Sequence, residues 1–162
     1  MEQVFERFWN KSFCQGLIEW TDTNSFYDIS SKPIWERNTD IKIVFEDQKL
    51  ADLIFSGIKE KLPQENAYGR LMGVDDYLRI FRFGRGSQLF NPEDLTRSRK
   101  EKIYYRVLIF LNDSKKQMTL SLDNTSLEIK AGTALLCSNS CHLNLDNSAN
   151  LYLLMADITY RK

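Results

Sequence analysis

Apolar and polar positions alternate most clearly in two runs near the middle of the chain, residues 77–83 (YLRIFRF) and 103–112 (IYYRVLIFLN). Both are rich in β-branched and aromatic side chains, and the second ends in Asn-Asp, a strand followed by a turn. Between them lies a polar connection with a turn-rich start at Gly84, Arg85 and Gly86. Upstream the period lengthens. In residues 1–20, Val4, Phe5, Phe8, Trp9, Phe13, Leu17, Ile18 and Trp20 predict a helical stripe. It is interrupted at Asn10-Lys11-Ser12, where Ser12 would cap a second piece starting at Phe13. A second helix is predicted over 47–62, with Leu50, Leu53, Ile54, Ile58 and Leu62 on one face and Pro63 ending it. Residues 25–29 and 41–45 read as short strands, with a turn at Lys32-Pro33 between them, and 64–76 as a loop. Downstream, 118–122 and 125–129 predict a hairpin through Asp123-Asn124. Residues 132–137 and 151–160 supply the last two strands.

Helices followed by seven or eight strands predict an α+β, mainly β fold: a jelly-roll barrel backed by N-terminal helices. The 162 residues predict a single domain over 1–162, and the 43% hydrophobic content describes an ordered globular chain. No apolar run approaches the roughly 20 residues of a membrane span, and the start MEQVFERFWNK lacks the apolar segment of a secretory signal. The formal charge is zero, which excludes bulk electrostatic capture of nucleic acid. Cys14, Cys137 and Cys141 are an odd set without framework spacing, so buried reduced thiols and an intracellular, cytoplasmic protein are expected.

The strand Arg79-Ile80-Phe81-Arg82-Phe83-Gly84, the segment Phe90-Asn91-Pro92-Glu93-Asp94-Leu95 and the strand Leu108-Ile109-Phe110-Leu111-Asn112-Asp113 together resemble the core of the prolyl-hydroxylase type of iron- and 2-oxoglutarate-dependent oxygenases. In that family the first reads roughly RxYRYxxG, the second Phe-x-Pro-His-x-Asp and the third LIYLND. Phe13-Cys14-Gln15-Gly16-Leu17-Ile18 is similar to the family's opening helix. The resemblance implies a double-stranded β-helix covering about Phe5 to Tyr160. It places the proximal iron-binding histidine at Glu93, the carboxylate at Leu95 and the distal histidine at His142, which follows a strand similar to the family's PxxGxAllF.

The family's site needs two histidines and one carboxylate on one face of the metal, and the chain has one histidine, His142. A rearranged set of His142, Glu93 and Asp94 would have to overcome the opposite orientation of neighbouring strand residues. The resemblance also implies a basic co-substrate clamp on the final strand, where the matching region, Asn150 to Met155 and including Leu151, is uncharged. Two tyrosines implied near it are Phe83 and Phe110, which keep the rings and lack the hydroxyls. No cofactor is therefore expected, with Fe(II) and 2-oxoglutarate belonging to the alternative of a divergent oxygenase. Cys137-x3-Cys141-His142 is half a zinc pattern without a second ligand pair, and small core side chains are the better reading.

Along 104–110 the period of two puts Arg106 on the side of Phe110. A buried guanidinium must be paired. Arg106 would either hold an anion in a pocket with Phe83, Phe110 and Leu151, or pair with a carboxylate such as Glu93 and plug the cavity. The preferred reading is a catalytically inactive oxygenase-like domain that binds or regulates a protein. The alternatives are a divergent dioxygenase and a jelly-roll binder of a small anion or sugar. The connection 91–102, with Arg97, Arg99, Lys100 and Lys102, would favour an acidic partner, and Phe90 and Tyr104 are candidate apolar anchors.

Overall fold

The computed structural model describes residues 2–24, 41–83, 89–90, 105–114, 117–120, 126–138, 143–144 and 150–162. The strands are β1 (Glu2–Phe5), β2 (Ile41–Glu46), β3 (Glu65–Asn66), β4 (Gly69–Val74), β5 (Tyr77–Phe83), β6 (Leu89–Phe90), β7 (Tyr105–Phe110), β8 (Gln117–Leu120), β9 (Ser126–Glu128), β10 (Ala134–Ser138), β11 (Leu143–Asn144) and β12 (Leu151–Arg161). Two helices, α1 (Lys11–Asn24) and α2 (Gln48–Ile58), precede most of them.

The larger sheet runs β1-β10-β7-β12, and both edges of β12 are occupied. On its far side, Leu151 to Met155 pair with β5 and Ile158 to Arg161 with β4; β2 lies outside β5 and β3 outside β4. The smaller sheet has the order β6-β11-β8-β9. Every pairing within both sheets is antiparallel. Because side chains alternate along a strand, the larger sheet buries two faces. One carries Tyr105, Val107, Ile109, Leu136, Leu154 and Ala156 against the helices. The other carries Phe81, Phe83, Leu108, Phe110, Leu135, Leu151, Leu153 and Met155 toward the barrel interior. β7 is buried along its whole length, as a strand covered on both faces must be.

α2 begins at Asp47, whose carboxylate accepts the Leu50 N–H at 2.9 Å. It seats Leu50, Ala51, Ile54 and Ile58 on the sheet. A 3-10 turn over Lys59–Lys61 follows it, before Pro63. The predicted helical face is right except at Leu53, which is 48% exposed. The stripe over 1–20 differs more. Its first part is β1, paired along its length with β10. The helix begins only at Lys11 and is capped by Asn10 rather than Ser12, the Asn10 Oδ1 accepting the Phe13 N–H at 2.8 Å. Between β1 and α1 the chain turns at Arg7, and Trp9 N–H donates to the Gly132 carbonyl at 3.2 Å. Gly132 has φ +84°, and a Cβ there would overlap the Trp9 carbonyl oxygen, so the position admits only glycine without rearrangement.

The expected loop over 64–76 is the hairpin β3–β4. The expected hairpin over 118–129 is present as β8 paired with β9. Residues 25–29 and Lys32-Pro33 lie outside the described residues. Cys14 and Cys137 are buried free thiols, and Cys141 lies outside the described residues. No described helix is long and apolar enough to cross a membrane.

Candidate functional site in the barrel interior

The inward-facing residues of β5, β12 and β7 stack in layers fixed by register. Phe83 lies beside Leu151; Phe81 and Phe110 flank Leu153; Arg79 and Leu108 flank Met155; Arg106 lies beside Asp157 and, on its other edge, Cys137. The Phe81 and Phe83 rings stack with centroids 5.6 Å apart. Asn112 sets the start of β12 by accepting the Tyr152 N–H at 2.9 Å and donating to the Asn150 carbonyl at 2.7 Å. The Tyr152 hydroxyl points to the opposite face and donates to Asp22 of α1 at 2.6 Å. Burial first, and then this bond, push its pKa up to about 12.

Phe83, Phe110 and Leu151 lie in one buried cluster, and at 1% exposure Leu151 is sealed among apolar neighbours. Arg106 faces the same interior, at its other end. Its Nε donates to Asp157 Oδ1 at 2.8 Å, while Arg79 Nη2 donates to Asp157 Oδ2 at 2.6 Å. All three side chains are at most 2% exposed. A carboxylate beside Arg106 is Asp157, two inward layers past Leu153 on the final strand, while Glu93, the example expected from the sequence, lies outside the described residues. The period of two could have found Asp157, since it shares the parity of Leu151, Leu153 and Met155. An acid inside an otherwise apolar run is the signal. Arg79 was legible in the same way, sharing the parity of Phe81 and Phe83.

Among the described residues, both guanidiniums meet the carboxylate of Asp157. Burial lowers the Arg106 pKa, Asp157 acts in the opposite sense, and Arg79 adds to the lowering. Arginine is nevertheless effectively always protonated in proteins. The two terminal nitrogens of Arg106 are buried and make no hydrogen bond. The Arg79 guanidinium also lies 5.6 Å from the Tyr77 ring centroid.

Glu93, Asp94, Leu95, His142, Arg97, Arg99, Lys100 and Tyr104 lie outside the described residues, as does the side chain of Phe90. Leu143 pairs with Phe90, so β11 and β6 are neighbouring strands of the smaller sheet. Among the described residues, no three His, Cys, Asp or Glu side chains are placed to hold a metal ion. A separate open cleft of about 500 Å³ on the surface is lined by Glu6, Arg7, Lys11, Asp113 and Lys130, with the Lys11–Asp113 ion pair at 3.9 Å.

No family model matches the chain, and no curated protein does. Solved structures do. The viral collagen prolyl hydroxylase vCPH of Paramecium Bursaria Chlorella virus-1, solved as its 2OG complex, superposes with a TM-score of 0.69 at 13% identity, over 99% of this chain and 96% of that one. The fold is that of the prolyl hydroxylases. A Pseudomonas putida prolyl-4-hydroxylase shares it with a TM-score of 0.63 at 11% identity, over 99% of this chain and 93% of that one. A Trichoplax adhaerens prolyl hydroxylase, in complex with a hypoxia inducible factor oxygen degradation domain peptide fragment, does so with a TM-score of 0.67 at 10% identity, over 98% of this chain and 83% of that one.

These neighbours correct one expectation. The first was solved as its 2OG complex and the others are prolyl hydroxylases, so the expectation that this chain takes no cofactor is overturned. The donor set of this chain nevertheless differs from the family's prolyl-hydroxylase pattern. One histidine cannot supply a two-histidine set, and Leu151 offers a carboxylate no charge or hydrogen bond at the place where the resemblance puts the clamp.

Proposed function

We propose that the chain is a prolyl-hydroxylase-fold protein that acts as a protein-binding or regulatory module. The observation that carries this reading is the sealed apolar packing of Leu151 with Phe83, Phe81, Phe110 and Leu153. Aromatic rings are kept there as packing, without the hydroxyls and the cation that would orient an acid. Two of the neighbours are described with polypeptides, collagen and a degradation-domain peptide, which supports a polypeptide as the partner. Recognition then rests on this chain's own loops. Arg97, Arg99 and Lys100 attract an acidic segment, and Phe90 and Tyr104 supply apolar anchors. Reversing Arg97, Arg99 and Lys100 to glutamate is expected to weaken partner capture at low salt and leave the melting temperature nearly unchanged. Undiminished capture would move the binding face elsewhere.

A second reading, a divergent dioxygenase, is favoured by the cofactors of the fold and by the pairing of Leu143 with Phe90. Fe(II) would sit on His142 with Glu93 and Asp94, a harder donor set than the usual one, and the bound metal with 2-oxoglutarate would supply oxidising power for hydroxylation. Anaerobic titration of the purified protein with Fe(II) and 2-oxoglutarate decides between the readings. A stoichiometric metal-to-ligand absorption band establishes the dioxygenase and removes the module reading. A flat titration, with partner capture retained, supports the module.

A further inference from the structure

We propose that the cleft between the β1–α1 turn and the turn over residues 130–133 is a binding site for a free polar α-amino acid, taken as its zwitterion. Register fixes its walls. Phe5 pairs with Ala134, so Glu6 comes beside Thr133, and both fall on the side of the sheet that carries Val4 and Leu135. The Trp9 N–H donates to the Gly132 carbonyl and ties the two turns together. Asp113, past the end of β7, accepts the Ala131 N–H at 2.8 Å and closes the third side. The cleft measures about 500 Å³, within the range of small-molecule sites.

The groups that line it divide into those satisfied within the protein and those left over. Lys130 lies 3.1 Å from Glu128, and Asp113 meets Lys11 at 3.9 Å. Glu6 and Arg7 line the same cleft, and among the described residues neither side chain forms an ion pair or a hydrogen bond, with the other or elsewhere. A carboxylate and a guanidinium that share a cleft without closing on each other fit a ligand that carries both signs. The third group is Thr133. It lines the cleft at 4% exposure, and among the described residues its hydroxyl has no partner. Side-chain polar groups so deeply placed are nearly always hydrogen-bonded, so this one calls for a partner supplied from the cleft.

These three groups select the ligand. An ammonium would donate to Glu6 and to the Thr133 hydroxyl at its side, and a carboxylate would take the fork of Arg7. Successive residues of a straight strand face opposite ways. Arg7 lines the cleft together with Glu6, and it does so at φ +54°, a conformation uncommon for a residue with a Cβ. A simple anion would leave Glu6 unanswered, and a simple cation would leave Arg7 so. The Lys11, Lys130 and Glu128 side chains around the cleft suit a polar side chain on the ligand rather than an apolar one. The site needs neither iron nor the proposed partner, and none of its three groups belongs to the sealed cluster around Leu151.

The test is calorimetry on the full chain in EDTA, with L-glutamine as the probe. Two analogues each lack one of its charges: glutaramate has no ammonium, and γ-aminobutyramide has no carboxylate. Wild-type protein is expected to bind glutamine saturably, at one site per chain, and each analogue at least tenfold more weakly. Glu6 and Arg7 are exposed, and asparagine is tolerated at positive φ. Glu6→Gln and Arg7→Asn are therefore expected to lower the melting temperature by no more than about 2 °C, and each to weaken glutamine binding at least tenfold. Thr133→Val keeps the shape, loses the hydroxyl, and is expected to weaken binding at least threefold. No saturable binding of glutamine to wild type overturns the site. So does an analogue that binds as tightly as glutamine, or an affinity unchanged in any of the three variants. If Thr133→Val does not fold, Glu6→Gln and Arg7→Asn give the answer: unchanged binding in either overturns the proposal.

Discussion

At one end of the barrel interior the strands present Phe83, Phe81, Phe110, Leu151 and Leu153; at the other, the same strands present Arg79, Arg106 and Asp157. Burial is alike at the two ends, and the side-chain chemistry differs. The apolar end is held by close packing, which tolerates exchange of shapes at modest cost. The charged end is held by a balance of charges, in which removing one member changes what every other member experiences. Burial alone therefore predicts little about how each end answers to substitution.

The largest expected effect is at the charged end. Asp157→Asn removes the carboxylate that Arg79 and Arg106 share. We expect a loss of about 3–5 kcal/mol or an insoluble protein, read by guanidinium denaturation. A loss under about 1 kcal/mol would mean that Asp157 is not what holds the two arginines. Leu151→Ala, at the apolar end, should cost about 3 kcal/mol through the cavity it leaves. A smaller effect separates the ends more finely. Phe110→Tyr adds a hydroxyl to a layer of Phe81 and Leu153, and should cost about 1–2 kcal/mol for an unsatisfied polar group. A gain in stability would reveal an acceptor at the apolar end.

The smallest effect belongs to the helix-facing side of the sheet and serves as the control. Burial pushes the Cys14 thiol up to about 11 against backbone hydrogen bonds that lower it, and Tyr152 is pushed up to about 12. In both, the folded state keeps a proton that the unfolded chain releases at lower pH. Stability is therefore fully present below about pH 9 and declines as pH rises toward 11 and 12. Cys14→Ala should remove the first part of that decline. An unchanged alkaline profile would assign the decline to other groups.

The strands of the barrel were legible because a period of two in β-branched and aromatic residues leaves few other foldings, as residues 77–83 and 105–110 illustrate. The first strand was not. Val4, Phe5, Phe8 and Trp9 satisfy a helical spacing, and only the long-range pairing with β10 makes 2–5 a strand. The hairpin β3–β4 was hidden for a similar reason, since Gly69 and Gly73 read as loop residues and both take positive φ within or beside a paired strand. At the candidate site, the inward direction of Arg106 followed from parity alone. Its partner did not, because register between β7 and β12 is a tertiary property that sets Arg106 opposite Asp157.

β12 has a consequence for how the molecule is made. It is the last of the twelve strands among the described residues, yet it pairs with β7 along one edge and with β5 and β4 along the other. During synthesis, β4, β5 and β7 emerge long before the strand that joins them, each with an edge open to association with other chains. The central pairings also span large sequence separations, Met155 with Arg79 among them, and such contacts form slowly. A nascent chain that has reached Asn150 is thus a set of sticky ribbons without a seam. Mutations that slow the docking of residues 151–161 should lower the yield of folded protein in cells more than its melting temperature suggests.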